Sequence, residues 1–189
     1  AVELHRQVEI FLGDDRLGGH RHGGDLQVDL HDAVEDFDGP VVPAGGVPGD
    51  REHRLGAELG EVIRSYTDLM TAKDLRKSAN ELRRGWALAN AYWEQSEPWK
   101  VVKADPDAAA VIFRTVINVV RVLAVLASPI IPAASGTVLT ALGAADSTWP
   151  HGDAVADELT ALAPGHPVAV PAVLFTKVTD EQKVALEAR

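Results

Sequence analysis

The stretch between Asp105-Pro106 and Pro129 limits the fold more than any other part of the chain. Val111, Ile112, Thr115, Val116, Val119, Val122, Leu123 and Leu126 recur at helical steps and cover much of the circumference. A helix that is apolar nearly all round must be enclosed by other elements. Asp105 is suited to cap its start and Pro106 to be its first residue, because proline lacks only an N–H that the first turn would leave unpaired. Pro129 and Pro132 end it, so it is predicted to run to about Ala127. Arg114, Asn118 and Arg121 form its one polar edge. The longest apolar run, Val116–Ile131, is broken by Asn118, Arg121, Ser128 and Pro129. It therefore reads as the buried centre of a bundle rather than a membrane span.

Other helices must surround it. From Arg51, with Asp50 as the expected N-cap, Leu55, Leu59, Val62, Ile63, Tyr66, Leu69 and Met70 recur at three- and four-residue steps. A second helix is predicted at about Ala72–Gln95. Its seam is Leu75, Ala79, Leu82, Trp86, Ala89 and Trp93, spaced for packing between near-antiparallel helices. A shorter helix is expected at about Ala133–Leu142, stopped by Gly143. Residues 144–166 read as loop with one turn near Ala154–Leu162, Pro167–Val178 as an extended segment, and Thr179–Arg189 as a short capped helix. The expected class is all-α, an antiparallel helical bundle with an irregular N-terminal segment and an extended C-terminal tail. The divisions fall at residues 1–49, 50–143 and 144–189.

Residues 1–49 are the least regular. Val8, Ile10 and Leu12, then Leu26, Val28 and Leu30, alternate weakly like strands. Gly18-Gly19 and Gly23-Gly24 break any helix. His20-Arg21-His22, with His5 and His31 nearby, has metal-binding side chains, but its spacing fits no mechanism. A solvated, glycine-rich polar segment is the preferred reading, so no metal is expected. With no cysteine, the chain has neither a disulfide framework nor a thiolate site, which fits a reducing cytoplasm. There is no glycine-rich phosphate loop, no Gly-x-Ser-x-Gly and no His-Glu-x-x-His, so no catalytic residues are assigned.

What remains is recognition. The formal net charge is −10, yet its distribution is uneven. Residues 51–126 carry 12 basic and 10 acidic side chains, whereas residues 1–50 carry 3 and 11. A local basic face can bind phosphate within an acidic chain. The second helix presents Lys73, Arg76, Lys77, Asn80, Arg83 and Arg84 opposite its seam, which is either a solvated face or a phosphate-facing stripe. Past it come Glu97-Pro98-Trp99-Lys100 and Lys103. Glu97, preceding proline, is expected to be extended. Trp99 is then expected at the junction of helix and loop, partly exposed. Trp86 and Trp93 belong to the seam and read as core; Tyr92 is open. An exposed ring among basic residues is the composition of a platform for unpaired bases, although on spacing alone Trp99 reads as packing rather than platform.

The order Leu75-Arg76-Lys77, Ala89-Asn90-x-Tyr92 and Glu97-Pro98-Trp99-x-x-x-Lys103 is similar to the C-terminal bundle of bacterial methionyl-tRNA synthetases. The run from Arg121 to Pro132, Arg-Val-Leu-Ala-Val-Leu-Ala-Ser-Pro-Ile-Ile-Pro, followed by Leu142-Gly143, matches the same family. So does the closing Ala-Val-Leu-Phe-Thr-Lys-Val of residues 172–178. The resemblance covers about Pro40 to Thr179. Ser-Pro-x-x-Pro also occurs in sister synthetases, whereas Pro-Trp in this context is more specific. It implies a module that binds the CAU anticodon of methionine tRNA, with Trp99 stacking on a base and Pro98 shaping the turn. Lys73, Arg76, Lys77, Arg83, Arg84, Lys100 and Lys103 become candidate contacts to the tRNA backbone, and Asn90 and Tyr92 look structural.

The chain also departs from the family. The family's nucleotide-binding fold and its signatures are absent, so ATP is expected to belong to a parent enzyme and no cofactor to this fragment. The family's first bundle helix carries an Asn and, four residues later, an Arg; here no Asn precedes Asn80. Residues 1–38 do not read like that helix, and a truncated gene with a shifted frame or start is the expectation for them. The competing reading is an inert helical module or gene remnant with no RNA role.

Overall fold

A computed structural model describes residues 41–171 together with Leu174 and Phe175. The possible strands and the histidine cluster of residues 1–40, and the closing helix expected at Thr179–Arg189, lie outside these residues. The described chain forms six helices: α1 (Asp50–Thr71), α2 (Leu75–Ser96), α3 (Pro98–Ala104), α4 (Pro106–Ala127), α5 (Pro132–Ala141) and the single turn α6 (Val155–Glu158). Helices α1, α2 and α4 each span 22 residues. The all-α class expected from periodicity is what the described residues adopt. The described residues hold one isolated antiparallel bridge, between Val41 and Pro167.

Helix α4 occupies the centre. From Ala109 to Ala127 every residue except Phe113 is buried. It packs against α1, α2, α3, α5 and α6. By length and composition it passes for a membrane span, yet 94% of its most apolar window is covered by the rest of the protein. Asp105 caps it as expected, its side chain accepting from the Ala108 N–H at 2.9 Å, with Pro106 in the first turn.

The polar edge of α4 is not solvated. Arg114 donates to the Pro43 and Gly45 carbonyls at 3.1 and 3.0 Å. Asn118 is fully buried; it donates to the Leu162 carbonyl at 3.2 Å and accepts from the Leu162 N–H at 2.8 Å. Arg121 donates to the Glu158 carbonyl at 2.9 Å and forms an ion pair with its carboxylate. Unpaired polar groups are costly inside a core. These three instead fasten the irregular segments before α1 and after α5 onto the central helix. Val42 exchanges hydrogen bonds with Gly165 and His166, each at 2.8 Å, so the two segments also hold each other.

Helices α1 and α2 form an antiparallel hairpin through the turn at residues 72–74. Leu55, Leu59, Val62, Ile63 and Tyr66 are buried on α1. Tyr66 donates to the Leu126 carbonyl at 2.7 Å and stacks on Trp149, at 5.9 Å between ring centroids. Helix α1 also meets the loop before α6 closely. A Cβ on Gly60 would lie 2.7 Å from the Gly152 carbonyl oxygen. Glycine is required there because backbone meets backbone.

Several sequence boundaries shift. The N-cap of α1 is Gly49, not Asp50; Glu52 accepts from the Gly49 N–H at 2.7 Å. Helix α2 begins at Leu75, not Ala72, because Lys73 takes a left-handed φ of 60° and Asp74 caps the new helix. Leu75 consequently lies outside the seam and is 65% exposed. Pro132 does not merely end a helix; it opens α5.

Candidate nucleic-acid interface

The turn between α2 and α3 differs from its sequence expectation in two respects. Pro98 starts a helix rather than a loop, supplying the first residue of α3. Glu97 is not extended but left-handed, with φ 43° and ψ 53°. The proline ring after it closes the right-handed helical region. The left-handed geometry reverses the chain sharply enough to seat Pro98 fully inside the protein. A non-glycine residue there costs about 1–2 kcal/mol, so the surroundings must hold it.

They hold it from both sides. The Glu97 N–H donates to the Trp93 carbonyl at 3.2 Å, and the Glu97 carbonyl accepts from Lys100 N–H at 2.8 Å. Lys100 Nζ returns to the Glu97 carboxylate at 2.6 Å. Trp99 is half-buried, its ring packed edge-on to Trp93 at 6.4 Å and 61°. Trp93 in turn meets Phe113 of α4 at 5.6 Å and 70°. Trp99 is thus neither a free loop residue nor a core residue. It is anchored on the core and partly reaches solvent.

Trp93 is buried, whereas Trp86 is half-buried against the core. Tyr92 is buried, and its hydroxyl donates to Glu52 at 2.7 Å. Burial, then the Glu52 carboxylate, push the Tyr92 phenol well above its ordinary value of 10.0. Burial alone raises Tyr66. Both phenols therefore bind their proton more tightly in the folded chain than in the unfolded one. That contribution to stability is complete below about pH 10 and is lost progressively as pH rises above it toward the raised folded values. Urea midpoints measured across that range should fall, and Tyr92→Phe should flatten part of the fall. An equally deep fall in the variant would show that Tyr92 is not responsible.

The basic candidates do not form one patch. Lys73 lies in the α1–α2 turn, Arg76 and Lys77 in the first turn of α2, and Arg83 and Arg84 near its middle. At about 1.5 Å per residue, Lys77 is roughly 28 Å along the axis from the end of α2, and Arg84 roughly 18 Å. Only Lys100 and Lys103 share α3 with Trp99, Lys103 lying one helical turn beyond it. Several charges are also engaged. Lys77 pairs with Asp74 at 2.8 Å and holds that carboxyl below its usual range. Arg84 pairs with Glu81 and Glu61 at 3.0 and 3.2 Å. Lys73, Arg76, Arg83 and Lys103 are exposed and have no ion pair among the described residues.

Arg51 and Glu52, in the first turn of α1, were not visible to sequence reading as part of this region. Arg51 Nη1 donates to Ser96 Oγ at 3.2 Å, next to the turn. Beside them opens a cleft of about 450 Å³, bounded by Gly46, Asp50, Arg51, Val101, Asp105 and Asp107. Its carboxylates make it a poor seat for phosphate. No periodic signal announces these contacts, because they join residues forty or more positions apart.

The described helices match solved structures of one class of enzyme. The free form of Mycobacterium tuberculosis methionyl-tRNA synthetase aligns with a TM-score of 0.61 at 21% identity, over 74% of this chain and 28% of that one. Its complex with methionyl-adenylate aligns at 0.62, over 78% and 29%. At this identity the likeness establishes a shared fold, that of a helical bundle within a class of tRNA ligases.

The sequence relatives narrow it. Residues 42–189 match the family described as the anticodon binding domain of methionyl tRNA ligase, and this chain belongs to that family. It is 42% identical over 151 residues to the methionine–tRNA ligase of Cereibacter sphaeroides strain KD131, covering 80% of this chain and 26% of that protein. It is 48% identical over 147 residues to that of Dinoroseobacter shibae, covering 78% and 25%. The chain thus spans about a quarter of the length of these relatives. The match does not favour an inert module unrelated to them.

Proposed function

We propose that this chain is the tRNA-reading portion of a methionine–tRNA ligase, and that it recognises the CAU anticodon loop of methionine tRNA through Trp99. The observation that carries the reading is the coincidence of family and geometry. The Pro98-Trp99 pair falls on a sharply held turn between two helices, with Pro98 buried and Trp99 anchored yet half-exposed. A ring held this way loses little further freedom on binding, which favours stacking on a splayed base. Lys100 and Lys103 stand close enough to meet the adjoining phosphates. Lys73, Arg76, Lys77, Arg83 and Arg84 would follow the RNA backbone farther along α2.

ATP-dependent attachment of methionine is assigned to the part of the relatives that this chain does not cover. The catalytic domain is accordingly its second partner, and the cytoplasm, where translation uses charged tRNA, its expected location. The test is direct titration of the 189-residue chain with a CAU anticodon stem-loop and with the same stem-loop carrying a changed anticodon. The CAU loop should bind more tightly, and both affinities should fall with salt as counterions are released. Equal affinity for the two loops would overturn anticodon reading.

A further inference from the structure

We propose that Arg51 and Glu52, acting through Ser96 and Tyr92, are positioning residues for Trp99: together they brace the first turn of α1 against the last turn of α2 and fix the Pro98-Trp99 turn. The proposal rests on the reading that Trp99 contacts an RNA base. Two consecutive residues of one helix reach the same end of another. Arg51 Nη1 donates to Ser96 Oγ at 3.2 Å, and Tyr92 donates to Glu52 Oε1 at 2.7 Å. The second Glu52 oxygen accepts from the Gly49 N–H at 2.7 Å, tying the same carboxylate to the start of its own helix. Ser96 and Tyr92 are 2% and 4% exposed, whereas Arg51 is exposed and Glu52 partly buried, so each contact is sheltered on its α2 side. The Thr115 hydroxyl of α4 also lies within hydrogen-bond reach of the Tyr92 phenol.

Placement gives the brace its consequence. Ser96 is the last residue of α2, and the left-handed Glu97 follows it. A left-handed glutamate is not a conformation the local chain prefers, so tertiary contacts must select it. Pro98 and the Trp93 edge restrain the turn from the α4 side, and Arg51 and Glu52 restrain it from the α1 side. Removing one restraint leaves the ring in place but broadens its orientations, and stacking is sensitive to orientation.

Two variants each remove one hydroxyl of the brace, with the hydrogen bonds it makes, without touching the charge that RNA would meet. Tyr92→Phe keeps the buried ring, and Ser96→Ala keeps the helix. Each is combined with Trp99→Ala in a double-mutant cycle read by affinity for the CAU stem-loop, below the unfolding transition of every variant. Each single variant should bind about three- to tenfold more weakly, and neither should weaken binding further once Trp99 is alanine. A loss of the same size in the Trp99→Ala background would show a general structural effect and overturn the proposal. So would unchanged affinity in both single variants while Trp99→Ala binds weakly. If Trp99→Ala alone has no effect, the base-stacking reading itself falls. Ser96→Ala carries the test should Tyr92→Phe fold poorly.

Discussion

Arg121→Ala should lower the unfolding free energy by about 3–5 kcal/mol, measured as a shift in urea midpoint at constant m-value. Its guanidinium is almost wholly buried, with 6% side-chain exposure, and the paired Glu158 carboxylate is 15% exposed. Removing the cation leaves a desolvated anion beside the core, and that stranded charge is the larger part of the cost. Glu158 also accepts from the His151 N–H at 3.0 Å, so the loop before α6 loosens with it. Exchanging both partners for apolar residues, as in Arg121→Met with Glu158→Leu, should recover most of the loss, because no charge is then left alone. A change within about 0.5 kcal/mol for Arg121→Ala would place the residue with ordinary surface positions.

Trp99→Ala should weaken binding of the CAU stem-loop by about 5- to 150-fold, the equivalent of the 1–3 kcal/mol that one base–aromatic stack contributes. The same truncation removes an edge-on contact with Trp93, so some loss of thermal stability accompanies it. Trp99→Phe separates the two effects. It preserves an aromatic face and should retain part of the affinity, whereas a purely packing role would follow buried area and leave binding untouched. Equal affinity of the wild-type chain and Trp99→Ala for the stem-loop would remove Trp99 from the interface.

The histories of these two residues in the sequence differ. Arg121 was legible as one of three polar residues on an otherwise apolar helix, but what that edge would face was not. What buries it is the segment at residues 155–165, whose apolar pattern is too short to announce a docking element. Trp99 was legible as a ring after a helix-breaking proline beside basic residues. Its neighbourhood was not. Lys73 to Arg84 seemed to adjoin it along the chain, but a rigid helix carries them roughly 18 Å or more away. Glu97 was misread because the rule that a residue before proline is extended is local, and the fit of Pro98 into the core outweighs it.

Apart from α3, the helices, their order and the identity of the central one follow from periodicity and end signals, since the burial of a helical face is written in the spacing of its apolar residues. The family was readable from Glu-Pro-Trp and the Ser-Pro-Ile-Ile-Pro run. Only the tertiary structure decided that Arg114, Asn118 and Arg121 are internal fasteners. Likewise, it alone showed that Pro98 opens a helix and that Arg51 and Glu52 reach the turn bearing Trp99. Those features are pairings between residues distant in the chain, and a pairing leaves no period in either partner's segment.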